Sequence, residues 1–273
     1  MTRDDVNTAI EWAAAEGWNP GLHDATCFYA ADSRGFLAGF LGDELVATIS
    51  VVKYRTSFGF LGLYIVKPNH RGRGYGLRLW NAGITHLAQR TIGLDGVVAQ
   101  QANYRRSGFA FAHRNIRYQG TGQTRAAQRR EIVPLSSVRF EDVHDYDRSV
   151  FLADRARFLK CWITQKQSTA LGFLRNGTLA GYGVIRAART GFKIGLLFAD
   201  DADCAQALLN GLVARVPDDS VYYFDVPETN RTAVALAERH GMTIVFETAR
   251  MYAGRAPDVP IQRVFGVTTF ELG

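Results

Sequence analysis

The feature that most limits what this chain can fold into is that its second half repeats the pattern of its first. Gly35-Phe-Leu-Ala-Gly-Phe-Leu-Gly-Asp-Glu-Leu-Val-Ala47 is matched by Leu171-Gly-Phe-Leu-Arg-Asn-Gly-Thr-Leu-Ala-Gly181, and Phe60-Leu-Gly-Leu-Tyr-Ile-Val66 by Lys193-Ile-Gly-Leu-Leu-Phe-Ala199. Each copy reads as a hairpin and a further strand: residues 36–41 and 45–54 turn about Gly42-Asp43 and lead to 58–66, and residues 169–175 and 179–188 turn about Asn176-Gly177 and lead to 192–198. In both, a helix, a strand, a helix and closing strands follow. The second copy supplies them at 202–213, 221–226, 231–240, 243–252 and 264–271.

What the copies do after the third strand differs. In the first, Arg71-Gly-Arg-Gly-Tyr-Gly76 stands between the strand and a helix marked by Leu77, Trp80, Ile84 and Leu87. Glycines let the backbone approach a ligand, and a new helix points unpaired N–H groups outward, so the loop is an anion cradle that suits phosphate. A dinucleotide fingerprint requires glycine at position 77, which is Leu77, and a nucleotide P-loop requires Gly-Lys-Ser/Thr, which is missing. Asp95 stands at the distance of a ribose-binding acid, but no second doubly wound half follows it. The second copy continues into Asp200-Asp-Ala-Asp203, whose carboxylates and lack of glycine unfit it for a pyrophosphate.

Arginine at the first position of the hexad and glycine at the fourth and sixth, after a strand and opening a helix, closely resemble the pyrophosphate loop of the GNAT (Gcn5-related) N-acetyltransferases. Gln100-Gln-Ala-Asn-Tyr-Arg-Arg-Ser-Gly-Phe109 is similar to the segment after that family's fifth strand, where a tyrosine often protonates the departing thiolate; Tyr104 holds that position. From Asp225 to Met242 the second copy resembles the same region more closely, with Ala237 in place of the tyrosine. The resemblance implies a fold of the α+β class, with a mixed, mainly antiparallel sheet and helices on both faces, built as tandem GNAT-like domains. Its expected parts are an acetyl-CoA-binding domain over 1–120, a linker over 121–136, and a second domain over 137–273 that lacks the pyrophosphate loop. It also implies acetyl-CoA as co-substrate. Backbone N–H groups of Ile65 and Val66 are expected at pantetheine and the thioester carbonyl, Arg71, Gly72, Arg73, Gly74, Tyr75 and Gly76 at the pyrophosphate, and Tyr104 as the acid.

The expected acceptor is a primary amine of a small or amino-acid-like molecule, attacked in a direct ternary complex. Trp18, Asp24 and Asp225 are candidates for the acceptor wall, with Asp24, Asp32 and Glu44 unranked as base. Asp154, Arg155 and Asn230 are further polar candidates, Asp154 and Asn230 more naturally as helix caps. An acyl-CoA sensor without turnover and a protein N-acetyltransferase are the alternatives. An excess of six basic over acidic side chains suits coenzyme A, and equally nucleic acid or an anionic membrane, but no recognition helix or stacking motif for nucleic acid is present. No apolar run spans a bilayer and no signal pattern opens the chain, so a cytoplasmic protein is expected, with a homodimer left open. Cys27, Cys161 and Cys204 are odd in number and far apart, and the six histidines are scattered, so neither a disulfide framework nor a metal site is expected.

Overall fold

The computed structural model describes residues 1–122, 129–151 and 153–273. The first half runs α1 (Arg3–Ala15), α2 (Asp24–Ala31), β1 (Phe36–Leu41), β2 (Glu44–Tyr54), β3 (Phe58–Val66), α3 (Tyr75–His86), β4 (Thr91–Val97), α4 (Gln101–Arg106) and β5 (Ala110–Thr121). The second runs β6 (Ile132–Pro134), α5 (Phe140–Phe151), α6 (Ala156–Trp162), β7 (Ser168–Arg175), β8 (Thr178–Ala187), β9 (Phe192–Ala199), α7 (Ala202–Val213), β10 (Val221–Pro227), α8 (Arg231–Arg239), β11 (Thr243–Ala253) and β12 (Val264–Gly266). Thr2 and Asp5 close a capping box on α1, and Asn230 caps α8 through the Ala233 N–H. Residues 24–31 form α2, an element that no helical periodicity in the sequence marks. Ala25, Cys27 and Phe28 are buried on α2, whose apolar sides leave no amphipathic stripe to read. The 121–136 stretch expected as a linker contains β6, paired with β7, and its residues 123–128 lie outside the described residues.

The twelve strands form one mostly antiparallel sheet in the order β1-β2-β3-β4-β11-β5-β10-β9-β8-β7-β6, with β12 beside β9. Helices cover both faces. Along β2, Val52 and Tyr54 join a core with α1 and α2, while Ala47, Ile49 and Val51 point the other way to Leu79 and Trp80 of α3. The first of these cores continues into Phe158 and Trp162 of α6 and Tyr182 and Val184 of β8, so one apolar layer spans both halves. Among the described residues no helix is long and apolar enough to cross a membrane.

The strand order contains an exchange. β5, the last strand of the first half, lies against β10 of the second, and β11 of the second lies between β4 and β5. Two buried ion pairs mirror this. Arg250 on β11 sits directly opposite Asp95 on β4 and donates to both carboxylate oxygens, at 2.8 and 2.6 Å. Arg117 on β5 sits directly opposite Asp225 on β10 and does the same, at 2.7 and 2.8 Å. Two further links join the halves on the helical side. Arg186 of β8 donates to Asp24 at 2.7 and 2.9 Å, and Cys27 of α2 is disulfide-bonded to Cys161 of α6 across a Cα separation of 5.2 Å. The disulfide corrects the sequence expectation: a separation of 134 residues is closed by the packing of α2 on α6.

After β12 the chain is not a strand to residue 271 but a buried tail lying on the first half. The Tyr54 hydroxyl donates to the Leu272 carbonyl at 2.9 Å, and a Cβ on Gly62 would overlap the Glu271 carbonyl. Gly62 is thus required for close approach of the second half's tail.

Candidate active site

The site begins where two parallel strands part. β3 and β4 pair from Phe58–Thr91 to Leu61–Leu94 and diverge beyond. At the divergence Leu63 has φ +44°, and the register of β2 against β3 shifts between Thr48 and Ser50. The Lys67 N–H donates to the Val46 carbonyl at 2.9 Å, and alternation along an antiparallel pair turns the Val66 N–H away from β2, into the opening, and the Ile65 N–H back toward Thr48. Of the two donors expected there, Val66 faces the fork. Between the arms lies a cavity of about 850 Å³.

At the mouth of the fork, Gly72 and Gly74 have φ of +74° and +82°, values that side chains rarely adopt, and Gly74 leads into α3 with no side-chain cap. The first N–H groups of α3 are therefore free for an anion. Gly76 is small for another reason: a Cβ there would stand 2.6 Å from the Tyr64 hydroxyl. Arg71, Gly72, Gly74 and Gly76 line the cavity, whereas Arg73 and Tyr75 do not. Arg71 donates from Nε to the Val66 carbonyl at 2.9 Å and pairs with Glu16, so it braces the strand end to α1.

On the other arm, Tyr104 of α4 lies against Gly96 and stacks on Trp80 with ring centres 5.7 Å apart. Burial raises its hydroxyl to about 12, with Tyr64 adding to the rise, so it is a proton holder at neutral pH. Trp18 lines the cavity near Phe246 of β11 and Phe270 and Glu271 of the tail. The other acceptor candidates are elsewhere. Asp24 and Asp225 are 1% and 2% exposed, do not line the cavity, and have both oxygens taken by Arg186 and Arg117. Arg155 is likewise buried, on Asp147. Asp32 binds the Arg34 and Lys53 N–H groups, Glu44 pairs with Lys67, and Asp154 with Arg55 and His144, though it also accepts the Ala156 N–H at 3.1 Å. No local pattern marks Glu271, Phe246 and Phe270 for this site, because the exchanged strand and the tail bring them to the first half.

The second copy has the same fork in another state. β9 and β10 pair from Phe192–Tyr222 to Ile194–Phe224 and then part, with Leu196 at φ +81° as the counterpart of Leu63. Here β12 enters the gap. The Leu196 N–H donates to the Val267 carbonyl at 3.2 Å, and the Val267 N–H donates to the Asp225 carbonyl at 2.9 Å. At the mouth, the Asp201 side chain accepts from the Cys204 N–H at 3.0 Å and caps α7. The chain itself fills this fork and occupies this helix terminus. Among the described residues no group of three or more potential metal ligands occurs.

The profile of the acetyltransferase (GNAT) family matches residues 4–109, and that of an acetyltransferase (GNAT) domain matches residues 143–266. A holothin acyltransferase from Pseudoalteromonas sp. (strain SANK 73390) is 31% identical over 265 residues, covering 96% of this chain and 90% of that protein. Among solved structures, a Pyrococcus horikoshii protein superposes with a TM-score of 0.85 at 21% identity, covering 100% of this chain and 94% of that one. A tandem GNAT protein from the clavulanic acid biosynthesis pathway gives 0.64 at 13% identity, covering 94% and 98%. With an open fork in one half, a closed copy in the other, and a near full-length acyltransferase relative, this chain belongs to the GNAT acetyltransferase family as a tandem-domain acyltransferase.

Proposed function

We propose that the protein transfers an acetyl or related acyl group from acyl-CoA to a primary amine of a small molecule, in a direct ternary complex. The observation that carries this reading is the contrast between the forks: in the first an open cavity leads from a free helix terminus to the strand divergence, while in the second the chain itself fills the gap and Asp201 caps the helix. The free N–H groups of α3, reached past Gly72 and Gly74, would hold the pyrophosphate, and the Val66 N–H would take a carbonyl of the pantetheine arm. Acyl-CoA supplies an activated carbonyl and a thiolate leaving group. Trp18, Phe246 and Phe270 add apolar surface to the lining of the cavity, which favours a compact acceptor over a protein chain. The relative's name gives holothin as the compound acylated there, and we extend to this chain only the scale of such an acceptor.

Tyr104, which lines the same cavity, would serve the leaving group. A hydroxyl near 12 lies well above a thiol's ordinary value of about 8.5, so full proton transfer to a thiolate is uphill and the larger contribution is a hydrogen bond to sulfur as charge develops. Tyr104→Phe is therefore expected to lower kcat roughly ten- to a hundredfold with acetyl-CoA affinity little changed. A steady-state comparison with calorimetric titration checks this. The reading as a whole is tested by titrating the wild type with acetyl-CoA and then measuring coenzyme release over an amine panel that includes holothin. Tight binding without release on any amine would favour a sensor. Gly74→Val, which forces a β-branched residue to φ +82°, is expected to weaken acetyl-CoA binding at least tenfold. Unchanged affinity would place the pyrophosphate elsewhere.

A further inference from the structure

The buried carboxylates Asp24, Asp95, Asp147 and Asp225 are each held by an arginine: Arg186, Arg250, Arg155 and Arg117. Glu271 is the exception. It is 4% exposed, and among the described residues its carboxylate makes no ion pair and accepts no hydrogen bond. Arg117 and Lys193 balance its charge without bonding to it, so the carboxylate keeps its acceptor capacity for a ligand. Glu271 also lines the cavity of the open fork.

Its position there is fixed from several sides. The backbone at Glu271 rests on Gly62, the first residue of β3 beyond the last β3–β4 pair, with the Ser50 hydroxyl donating to its carbonyl at 3.4 Å. The Thr269 hydroxyl accepts from the Glu271 and Leu272 N–H groups, each at 3.0 Å, which holds the tail in its turn. Glu271 thus stands at the apex of the fork, on the β3 side. Tyr104 stands on the β4 side, against Gly96. The charged groups around Glu271 are Arg117 on β5 and Lys193 on β9, both of which feel its charge, and Asp225 on β10, which takes up Arg117. From β2, the Ser50 hydroxyl reaches the Glu271 carbonyl and the Tyr54 hydroxyl the carbonyl of the next residue, Leu272.

We infer that Glu271, delivered by the tail of the second half, binds the acceptor's ammonium group in the first half's fork and removes its proton. This rests on the acyl-transfer reading above. One N–H bond breaks as the proton passes to the Glu271 carboxylate. The freed lone pair forms the C–N bond to the acyl carbon, the C–S bond breaks with its electron pair going to sulfur, and a second N–H bond breaks as that proton passes through water to the thiolate, to which the Tyr104 hydroxyl donates a hydrogen bond. Glu271 then returns its proton to water. The second half would contribute a catalytic group and not only a wall.

The test compares wild type with Glu271→Gln on an amine that turns over in the panel, from pH 6 to 10. The expected result is a fall in kcat/KM of about a hundredfold near pH 7, with acetyl-CoA affinity within threefold of wild type. The deficit should shrink as pH rises toward an alkylamine's own pKa of about 10, where solution supplies the free amine. Glu271→Asp, which keeps the charge, should fall between the two and serves the comparison if the glutamine variant does not fold. A variant within threefold of wild type, or a deficit constant across pH, overturns the inference and leaves acyl transfer standing. A wild type that binds acetyl-CoA but acylates no amine overturns the function reading, and this inference with it.

Discussion

Residues 1–136 produced alone are expected not to fold as a monomer, and residues 137–273 likewise, whereas the two co-expressed should form one stable complex that binds acetyl-CoA. The reason lies in the exchanged strands. Without the second half, β4 loses β11 from its edge and β5 loses both neighbours, β11 and β10. The buried Asp95 and Arg117 lose their partners at the same cut. Gly62 also loses the tail that packs on it, and Tyr54 the carbonyl it donates to. Each unpaired buried charge costs several kcal/mol, about 3–5 by analogy with broken buried pairs, and two such losses approach the roughly 5–15 kcal/mol that holds a whole domain. Folded material from the first half alone is expected to be a dimer, in which β5 of each copy fills the β11 position of the other and Arg117 takes the place of Arg250 beside Asp95. Circular dichroism and sedimentation decide the matter. A folded, monomeric 1–136 would show that the exchange is dispensable.

The second large effect is expected at the pair that crosses between the halves. Asp225→Ala should destabilise the protein by about 3–5 kcal/mol, because it leaves Arg117 buried with no carboxylate opposite it. At roughly 2–4 °C per kcal/mol for a chain of this size, the melting temperature should drop by about 10 °C. The double variant Arg117→Met/Asp225→Leu should recover most of the loss, since replacing both charges by apolar side chains is often neutral. The pH dependence has a defined sign. Burial alone would raise the Asp225 carboxyl, but Arg117 and then Lys193 outweigh it and hold the group below its ordinary range. A depressed carboxyl stabilises the fold fully above its unfolded value near 4, and that share is lost as pH falls through the folded value. Asp225→Asn should therefore flatten the stability profile on the acid side of about pH 4, measurable by urea denaturation at successive pH values. A melting temperature unchanged by Asp225→Ala would mean that the pair contributes nothing net.

Much of the fold was legible because its information is local. The Asn176-Gly177 hairpin and the helices expected over 202–213 and 231–240 are short-range patterns. The cradle was legible too, since glycine at 72 and 74 reflects a backbone geometry that neighbouring residues impose. What could not be read was which charges meet. Asp24 and Asp225, taken as acceptor contacts, are the buried halves of ion pairs whose arginines lie 162 and 108 residues away. Nor does any local pattern pair Cys27 with Cys161, 134 residues away. α2 escaped because it is covered on more than one side, so its apolar residues follow no stripe.

By itself the sequence determined that two copies of one pattern exist, and that only the first carries glycines and arginine where a phosphate must approach the backbone. Those are properties of single residues and their near neighbours. The tertiary structure alone decided that the copies exchange their β5 and β11 strands, that β12 fills the second fork, and that the tail brings Glu271 to the first. Each depends on pairing between strands more than a hundred residues apart or on free volume at a strand divergence, and periodicity along one strand carries no record of which neighbour that strand will find.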